Sequence, residues 1–323
     1  MSPAGVIEPE KILKELRELW VQLGQQQDAP GGVLRACAMT LVVAAEPDGN
    51  GADAEAAHRT IGVLMHDHPS RAVVISPREG GEFGARVFSE CWMPFGGQRQ
   101  ICAEGIEITS DSEQTDEVAR MLVPLIAPDL PVVLWCRGAR AFRDRSLDAL
   151  FPLADKIIFD TAQARHAPSA IEFLRRMRRA RNHGRHVADL AWTRLTAWRE
   201  AVGHLLDHDA GGVTAARVTH GGEKPGTSAL YFARWIERAI PGANVLLEPV
   251  VADSAKDAAG LSAVTFTTAR GELSMGLADS TALAVRAGET TYSSPLPAVS
   301  EETLMREELS ILGRDPVFER VLL

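Results

Sequence analysis

A glycine-containing loop at residues 219–231, with the sequence THGGEKPGTSALY, carries residue types that bind anions. It joins a predicted strand to a predicted helix. Two glycines leave the backbone free, a lysine supplies positive charge, and two hydroxyl residues stand where the helix begins and can cap it; these are Gly221, Gly222, Lys224, Thr227 and Ser228. Unpaired amide groups at a helix N-terminus attract anions. The loop therefore predicts a site for a phosphate or for a partner's carboxylate, although an ordinary strand-to-helix connection explains the same residues.

Sequence patterns that would indicate catalysis are not found. No GxxxxGK[ST] or GxGxxG loop opens a predicted helix, and no GxSxG turn presents a nucleophile. The corresponding loop of the first half, EPDGNGAD at 46–53, is acidic and would repel an anion. Histidines occur in pairs at residues 66 and 68, 183 and 186, and 204 and 208, each without a third ligand at metal-binding spacing. We therefore expect no catalytic residues, no metal and no cofactor.

Two of the four cysteines are predicted to face each other across a hairpin. The predicted strands 83–93 and 98–109 flank a Pro-Phe-Gly-Gly turn. In a hairpin centred on the two glycines, opposed residues have numbers that sum to 193, and Cys91 and Cys102 meet this condition. Directly opposed residues have Cβ atoms about 4.5–5.5 Å apart. The spacing predicts a pair of neighbouring thiols that responds to redox conditions; two reduced thiols are the alternative in a reducing compartment.

Positive charge is concentrated between residues 165 and 199. This window holds nine arginines and two acidic residues, so its formal charge is +7, whereas the whole chain carries −9 and the remainder −16. Tryptophan and arginine are enriched where proteins bind proteins, and guanidinium groups bind carboxylates with two hydrogen bonds. We predict a docking face for an acidic, partly apolar protein surface, formed by Arg175, Arg176, Arg178, Arg179, Trp192, Arg194, Trp198 and Arg199. Burial of both tryptophans in the core, and pairing of the arginines with the acidic remainder, are the alternatives.

Composition limits the class of protein. The 323 residues are 46% hydrophobic and 24% charged, as in soluble globular proteins, and the length favours two domains. A net acidic chain is a poor general ligand for nucleic acid. No stretch approaches the ~20 consecutive apolar residues of a membrane helix, and nothing at the N-terminus indicates export. We expect a cytoplasmic protein that has neither a nucleic-acid nor a membrane partner.

The order of predicted elements is similar in the two halves: strand, loop, helix, strand, hairpin strands, helix. This order predicts an α/β fold of two modules, each a mixed sheet covered by helices. A small, polar segment at 162–169 favours a boundary between an N-terminal α/β domain of residues 1–166 and a C-terminal α/β domain of residues 167–323. The predicted helices are 8–24, 53–66, 113–127, 168–182, 193–208, 226–240 and 299–312. The predicted strands are 33–45, 71–76, 83–93, 98–109, 131–136, 156–160, 212–220, 243–250 and four antiparallel strands near 261–269, 272–278, 281–286 and 289–294.

Five segments resemble, in order, those of the OpcA family, the glucose-6-phosphate dehydrogenase assembly proteins. They are RACAMTLVV (35–43), HPSRAVVI (68–75), DLPVVLWCRG (129–138), ADKIIFDT (154–161) and DLAWTRLTAWRE (189–200). Together they span residues 35 to 200, about half of the chain. Two positions depart from the family pattern: Cys136 stands where a second tryptophan is expected, and Ala197 where a proline is expected.

The resemblance implies a non-catalytic protein that binds glucose-6-phosphate dehydrogenase and promotes its assembly or activity in the oxidative pentose phosphate pathway. Cyanobacterial members of the family are linked to redox control, which gives no assignment for the cysteines of this chain. A second function stays open: a sugar-phosphate- or nucleotide-binding protein, or an enzyme, that uses the Gly221–Ser228 loop.

Overall fold

The computed structural model describes residues 8–25, 31–78, 83–111, 115–143, 145–180, 185–207, 212–250 and 260–323. Within these ranges the helices are α1 (Pro9–Gln25), α2 (Ala52–Leu64), α3 (Thr115–Leu122), α4 (Arg140–Arg143), α5 (Ala167–Ala180), α6 (Leu190–Thr193), α7 (Thr196–Asp207), α8 (Thr227–Ala239), α9 (Glu301–Ser310) and α10 (Pro316–Leu322). The strands are β1 (Val33–Arg35), β2 (Met39–Ala44), β3 (Ser70–Pro77), β4 (Gly84–Trp92), β5 (Gln100–Ser110), β6 (Val132–Cys136), β7 (Lys156–Phe159), β8 (His186–Asp189), β9 (Val213–His220), β10 (Asn244–Pro249), β11 (Leu261–Thr268), β12 (Gly271–Leu277), β13 (Ala282–Ala287) and β14 (Thr290–Pro295). Short 3-10 helices occur at Val123–Leu125, Phe151–Leu153 and Thr161–Gln163.

Two compact units make up the chain, and each has its own sheet. The first unit comprises Met1–Asp160, Arg181–Ala188 and Glu301–Arg314. The second comprises Thr161–Ala180, Asp189–Ser300 and Asp315–Leu323. The predicted α/β class with mixed sheets is confirmed. The predicted boundary after residue 166 stays a prediction. The two compact units are not contiguous, because segments of the first and the second alternate along the sequence.

The first unit is built on an eight-stranded sheet in the order β1-β5-β3-β2-β6-β7-β8, with β4 paired antiparallel to β5. The neighbours β5, β3, β2, β6 and β7 are parallel. Strands β2, β3 and β6 are buried along their whole length. Such continuous apolar runs are typical of parallel strands that are covered on both faces.

The predicted strand 33–45 is wrong in one respect, because it forms two strands. β1 pairs with the beginning of β5, whereas β2 pairs with β3 and β6. Between them the Ala36 amide bonds to the Cys102 carbonyl and the Ala38 amide to the Pro69 carbonyl. The backbone therefore changes partners at residues 36–38. An unbroken apolar run does not reveal such a change.

The second unit is built on a six-stranded sheet in the order β10-β9-β11-β12-β13-β14. β10 and β9 are parallel and the remaining neighbours are antiparallel. Buried and exposed residues alternate along β9 and β13, as expected for a sheet with one face on the core. The core includes a cluster of aromatic rings from α6, α8 and α10, namely Trp192, Tyr231 and Phe318, whose centroids lie 5.6–6.4 Å apart.

Several elements were not expected from the sequence, among them β8 and α10. The α10 helix begins after Asp315, whose side chain accepts hydrogen bonds from the Val317 and Phe318 amides at 2.8 and 2.9 Å. Aspartate before a proline at the first helical position is a recognisable N-terminal signal. The α10 helix was therefore predictable from the sequence, although only seven residues long.

Candidate functional site

The arginines of α5 fall into two groups, and the first group makes contacts inside the second unit. Arg175 Nε donates a 2.6 Å hydrogen bond to the Leu322 carbonyl, and Arg175 Nη1 lies 3.5 Å from the Glu172 carboxylate. Arg178 Nε donates to Glu319 Oε1 at 2.6 Å. Both long-range acceptors belong to α10. These contacts hold α5 against α10 and favour the alternative that Arg175 and Arg178 pair within the chain. A docking role for them stays a prediction.

Arg176 and Arg179 form the second group. Both are exposed, and neither has a hydrogen-bond or ion-pair partner among the residues that the structure describes. They are three positions apart in a helix, so they lie on the same side of α5. As far as the described part of the chain shows, these two guanidinium groups are available to an external carboxylate. Arg181, which also belongs to the basic window, lies outside the described residues.

Both tryptophans of the DLAWTRLTAWRE segment are buried, so their predicted role as docking indoles is wrong. Trp192 is 1% exposed and Trp198 is 5% exposed. Trp192 stacks on Phe318, and its indole nitrogen donates to Asp315 Oδ2 at 3.0 Å. Trp198 packs edge-on against Phe232, with ring centroids 6.0 Å apart. The two rings are core anchors of the second unit.

The remaining arginines of the segment differ from each other. The Arg199 guanidinium carbon lies 3.9 Å from the centroid of the Trp192 ring, and Arg199 Nη2 donates to Thr196 at 2.8 Å. This cation–π contact is internal to the unit and favours a structural role for Arg199. Its docking role stays a prediction. Arg194 is partly exposed and lines a cavity.

That cavity has a volume of about 480 Å³ and lies wholly within the second unit. Lys224, Thr227 and Ser228 of the predicted anion loop line it. Gly221 and Gly222 do not. The full lining is Thr161, Ala162, Ala164, Arg165, His166, Ala167, Pro168, Arg194, Lys224, Pro225, Gly226, Thr227, Ser228 and Gly260. The structure thus brings three of the five predicted anion-binding residues together with cations that the sequence did not connect to them.

The start of α8 at this cavity differs from the predicted cap. The capping position is Gly226, and no side chain of the described residues accepts a hydrogen bond there from the first amides of the helix. Thr227 Oγ1 donates to the Thr161 carbonyl at 3.2 Å and Ser228 Oγ to the Ala191 carbonyl at 3.4 Å. Both hydroxyl groups lie inside the helix rather than before it, so the prediction that they cap α8 is wrong.

A buried carboxylate holds the segments behind the cavity. Asp189, which is fully buried, accepts hydrogen bonds from the amide and hydroxyl of Thr161 at 3.0 and 2.5 Å and from the Ala191 amide at 3.0 Å. The Tyr231 hydroxyl donates to it at 2.8 Å. Burial, together with the charge of Asp189, raises the pKa of Tyr231 well above its usual value. The phenol therefore stays protonated, and the cluster is a fixed support for Thr161.

In the first unit, acidic side chains accept hydrogen bonds from the backbone amides of the loop that follows β2. Asp48 accepts hydrogen bonds from the Gly51 and Asp53 amides at 2.7 and 2.6 Å. Asp53 in turn accepts from the Glu46 amide at 2.8 Å. In nucleotide-binding α/β proteins the corresponding amides bind phosphate. Here the amides are bonded to carboxylates of the chain itself. That the loop repels anions stays a prediction.

Arg137 neutralises part of this acidic region. Its buried guanidinium group bonds to Asp53 at 2.8 Å and to Glu301 at 2.5 Å, and it lies 4.5 Å from the centroid of the Trp135 ring. The next residue, Gly138, has a φ of 66°, and a Cβ atom there would clash with the Glu46 carboxylate. The Trp-Cys-Arg-Gly sequence at 135–138 therefore has a structural explanation within the first unit.

Cys91 and Cys102 lie opposite each other in β4 and β5, which confirms their predicted register. They form a disulfide with a Cα–Cα distance of 4.1 Å. Their response to redox conditions stays a prediction. Cys37 and Cys136 are free, and burial raises the pKa of the Cys136 thiol far above its usual value.

Two further structural features of the described residues bear on function. No three His, Cys, Asp or Glu side chains among them are arranged to hold a metal ion. Of the histidine pairs noted in the sequence, His183 and His208 lie outside the described residues. None of the described helices combines the length and apolar character needed to span a membrane.

Comparison with protein families gives two matches that follow one another along the chain. Residues 62–179 match OpcA_G6PD_assem, the N-terminal domain of the glucose-6-phosphate dehydrogenase subunit. Residues 185–322 match OpcA_G6PD_C, the C-terminal domain of the same family.

Individual relatives share little sequence identity with the chain. The chain is 23% identical over 147 residues to the "Putative OxPP cycle protein OpcA" of Synechocystis sp. and 24% identical over 148 residues to the protein of that name in Synechococcus elongatus. Each match covers 45% of this chain but only 30% and 33% of the respective relatives. Among solved structures, the chain is similar to the 3-ketoreductase KijD10 from Actinomadura kijaniata, with a TM-score of 0.48, 12% identity, and coverage of 88% of this chain and 94% of that one.

Proposed function

Because the chain belongs to the OpcA family of glucose-6-phosphate dehydrogenase subunits, we propose that it binds glucose-6-phosphate dehydrogenase and promotes its assembly and activity. The observation that carries the proposal is the pair of matches at residues 62–179 and 185–322, which includes both family domains in their order. The protein would act in the oxidative pentose phosphate pathway, in the cytoplasm together with the dehydrogenase, and would catalyse no reaction of its own.

The exposed side of α5 is the surface that we assign to the dehydrogenase. Arg176 and Arg179 support this choice because they are the arginines of α5 without a partner among the described residues. The chain as a whole carries −9, so an acidic partner would be repelled elsewhere and attracted to a local cationic surface. Exposed charges of this kind mainly accelerate association and set orientation.

A non-catalytic role agrees with the chemistry of the first unit. The amides after β2 are bonded to Asp48, and the charge of Arg137 is balanced by Asp53 and Glu301. Polar groups that are hydrogen-bonded or ion-paired to one another stabilise the fold, and their donors and acceptors are not available to bind a substrate. They support the proposal that these residues are structural.

Promotion of assembly needs a difference in affinity. The chain can shift the dehydrogenase towards an assembled or active form only if it binds that form more tightly than the other. At saturation, a tenfold preference would change the ratio of the two forms about tenfold, which corresponds to about 1.4 kcal/mol. The proposal therefore predicts a dependence on the concentration of the chain that saturates.

The test uses the dehydrogenase of the same organism. Its oligomeric state is measured by light scattering, and its rate of NADP reduction by absorbance, with and without the full chain. We expect a stable complex, a larger share of the assembled form and a higher rate. The chain alone, mixed with glucose 6-phosphate and NADP, should produce no NADPH. The absence of a complex at micromolar concentrations, or turnover by the chain alone, would overturn the proposal.

A further inference from the structure

The charged side chains that line the cavity of about 480 Å³ in the second unit are all positive. Arg165, Arg194 and Lys224 contribute to the lining, and no aspartate or glutamate of the described residues does. Concave surfaces lined by positive charges concentrate anions from solution. The cavity volume also lies within the range of about 300–1,000 Å³ that is typical of small-molecule sites.

The three cations come from separate segments of the chain. Arg165 lies between the Thr161–Gln163 turn and α5, Arg194 ends α6, and Lys224 lies between β9 and α8. Arg165 and Lys224 are exposed and have no hydrogen-bond or ion-pair partner in the described part of the chain. Arg165 and Lys224 would together attract an anion that enters the cavity. This arrangement differs from a solvated helix face, where neighbouring charges come from one element.

The backbone at the cavity adds to the same field. The thirteen-residue helix α8 begins there with Gly226 at its cap, and within the described chain no side chain bonds to its first amides. The hydroxyls of Thr227 and Ser228 donate to carbonyl groups instead, so they do not compete for those amides. The positive end of the helix dipole therefore adds to the attraction that the arginine and lysine side chains exert on an anion.

We propose that this cavity binds a small organic phosphate monoester. A phosphate carries close to two negative charges near neutral pH and offers three acceptor oxygens, which suits two guanidinium groups and an ammonium group better than a single carboxylate does. The rest of the ligand would lie against the small apolar residues of the lining, Ala162, Ala164, Ala167, Pro168 and Pro225. The inference concerns the second unit alone and does not require that the chain bind a dehydrogenase.

The test is calorimetric titration of the full chain, without any partner, at low ionic strength. The probes are glucose 6-phosphate, inorganic phosphate and glucose. We expect saturable binding of glucose 6-phosphate, weaker binding of inorganic phosphate and no heat from glucose. The double variant Arg165→Gln and Lys224→Gln should weaken binding of the ester at least tenfold. Because both residues are exposed, the thermal unfolding midpoint should not change.

The matched control is the double variant Arg176→Gln and Arg179→Gln, which removes the same charge from exposed positions that do not line the cavity. It should bind the ester as the wild type does. Failure of glucose 6-phosphate to bind, or equal loss in both double variants, would overturn the proposal. Inorganic phosphate that binds as tightly as the ester would also overturn it, since the cavity would then recognise the free ion.

Discussion

Arg178 of α5 donates a 2.6 Å hydrogen bond to the buried carboxylate of Glu319 in α10. A residue that the sequence marks as a docking cation is thereby part of the packing of the second unit. Its neighbours Arg176 and Arg179 lie on the exposed side of the same helix. One short basic sequence thus has a structural half and a solvent-facing half, and variants can separate them.

The first prediction concerns this separation. Arg178→Ala leaves the Glu319 carboxylate buried without that charge, and should lower the free energy of unfolding by about 2 kcal/mol. This is less than the ~3–5 kcal/mol of a fully buried pair because the Arg178 side chain is 21% exposed. Urea unfolding measures the change. The matched variant Arg176→Ala should change stability by less than about 0.5 kcal/mol. Equal effects of the two variants would show that the division of α5 is wrong.

The second prediction tests the buried position of Trp192. Trp192→Ala removes a ring that stacks on Phe318 and a hydrogen bond to Asp315, so the free energy of unfolding should fall by about 3–5 kcal/mol. Trp192→Phe retains a stacked ring and should cost about 1–2 kcal/mol, mainly for the lost bond. Chemical denaturation of the purified variants measures both values. A Trp192→Ala protein as stable as the wild type would place the indole outside the core.

The third prediction concerns the disulfide of the β4–β5 hairpin. Cys91→Ser opens a link across a sequence separation of 11 and should destabilise the oxidised protein by about 3 kcal/mol. A reductant should lower the stability of the wild type but not that of the variant. Cys37→Ser, which removes a free cysteine, is the control and should respond to reductant as the wild type does. Intact-mass measurement that finds no loss of two hydrogens on oxidation of the wild type would contradict the pairing.

The fourth prediction follows from Glu104 of β5, whose carboxylate is buried and accepts hydrogen bonds from Trp20, Arg35 and Arg71. Burial alone would raise the pKa of Glu104, but the Trp20 hydrogen bond and the arginine charges outweigh it, so the pKa is lowered. A lowered folded-state pKa contributes stability above the ordinary carboxyl pKa of about 4.3, and this contribution is lost as the pH falls through the folded value.

Glu104→Gln should therefore cost about 2–3 kcal/mol at pH 7 and progressively less below pH ~4. Urea titrations of wild type and variant at pH 7 and at low pH measure the difference. Glu18→Gln is the control, since its side chain is 58% exposed and its pairing with Lys14 at 3.8 Å contributes little. A cost that is constant, or that grows in acid, would show that Glu104 is not held as the charged form.

Local pattern predicted much of the fold. The hairpin register was predictable because the turn fixes which residues face each other, and Cys91 and Cys102 are opposed as expected. The predicted helix at 168–182 is α5, within a residue or two at each end. These features depend on neighbours in sequence, so periodicity and turn chemistry are sufficient to predict them.

The division of the arginines was not predictable, since it depends on distant residues. Arg175 and Arg178 bond to Leu322 and Glu319, more than 140 positions away. No local pattern distinguishes them from Arg176. The cavity was not predictable for the same reason. Lys224 was predicted from its loop, whereas Arg165 and Arg194, which line the cavity with it, come from other segments.

The most direct test of the proposed function is the affinity of the chain for glucose-6-phosphate dehydrogenase as a function of salt. The double variant Arg176→Glu and Arg179→Glu should bind at least tenfold more weakly than the wild type, and its affinity should depend less on salt. The double variant Lys11→Glu and Lys14→Glu reverses two exposed charges on α1 and should bind as the wild type does. Wild-type affinity and full activation by the α5 variant would contradict the assignment of this surface.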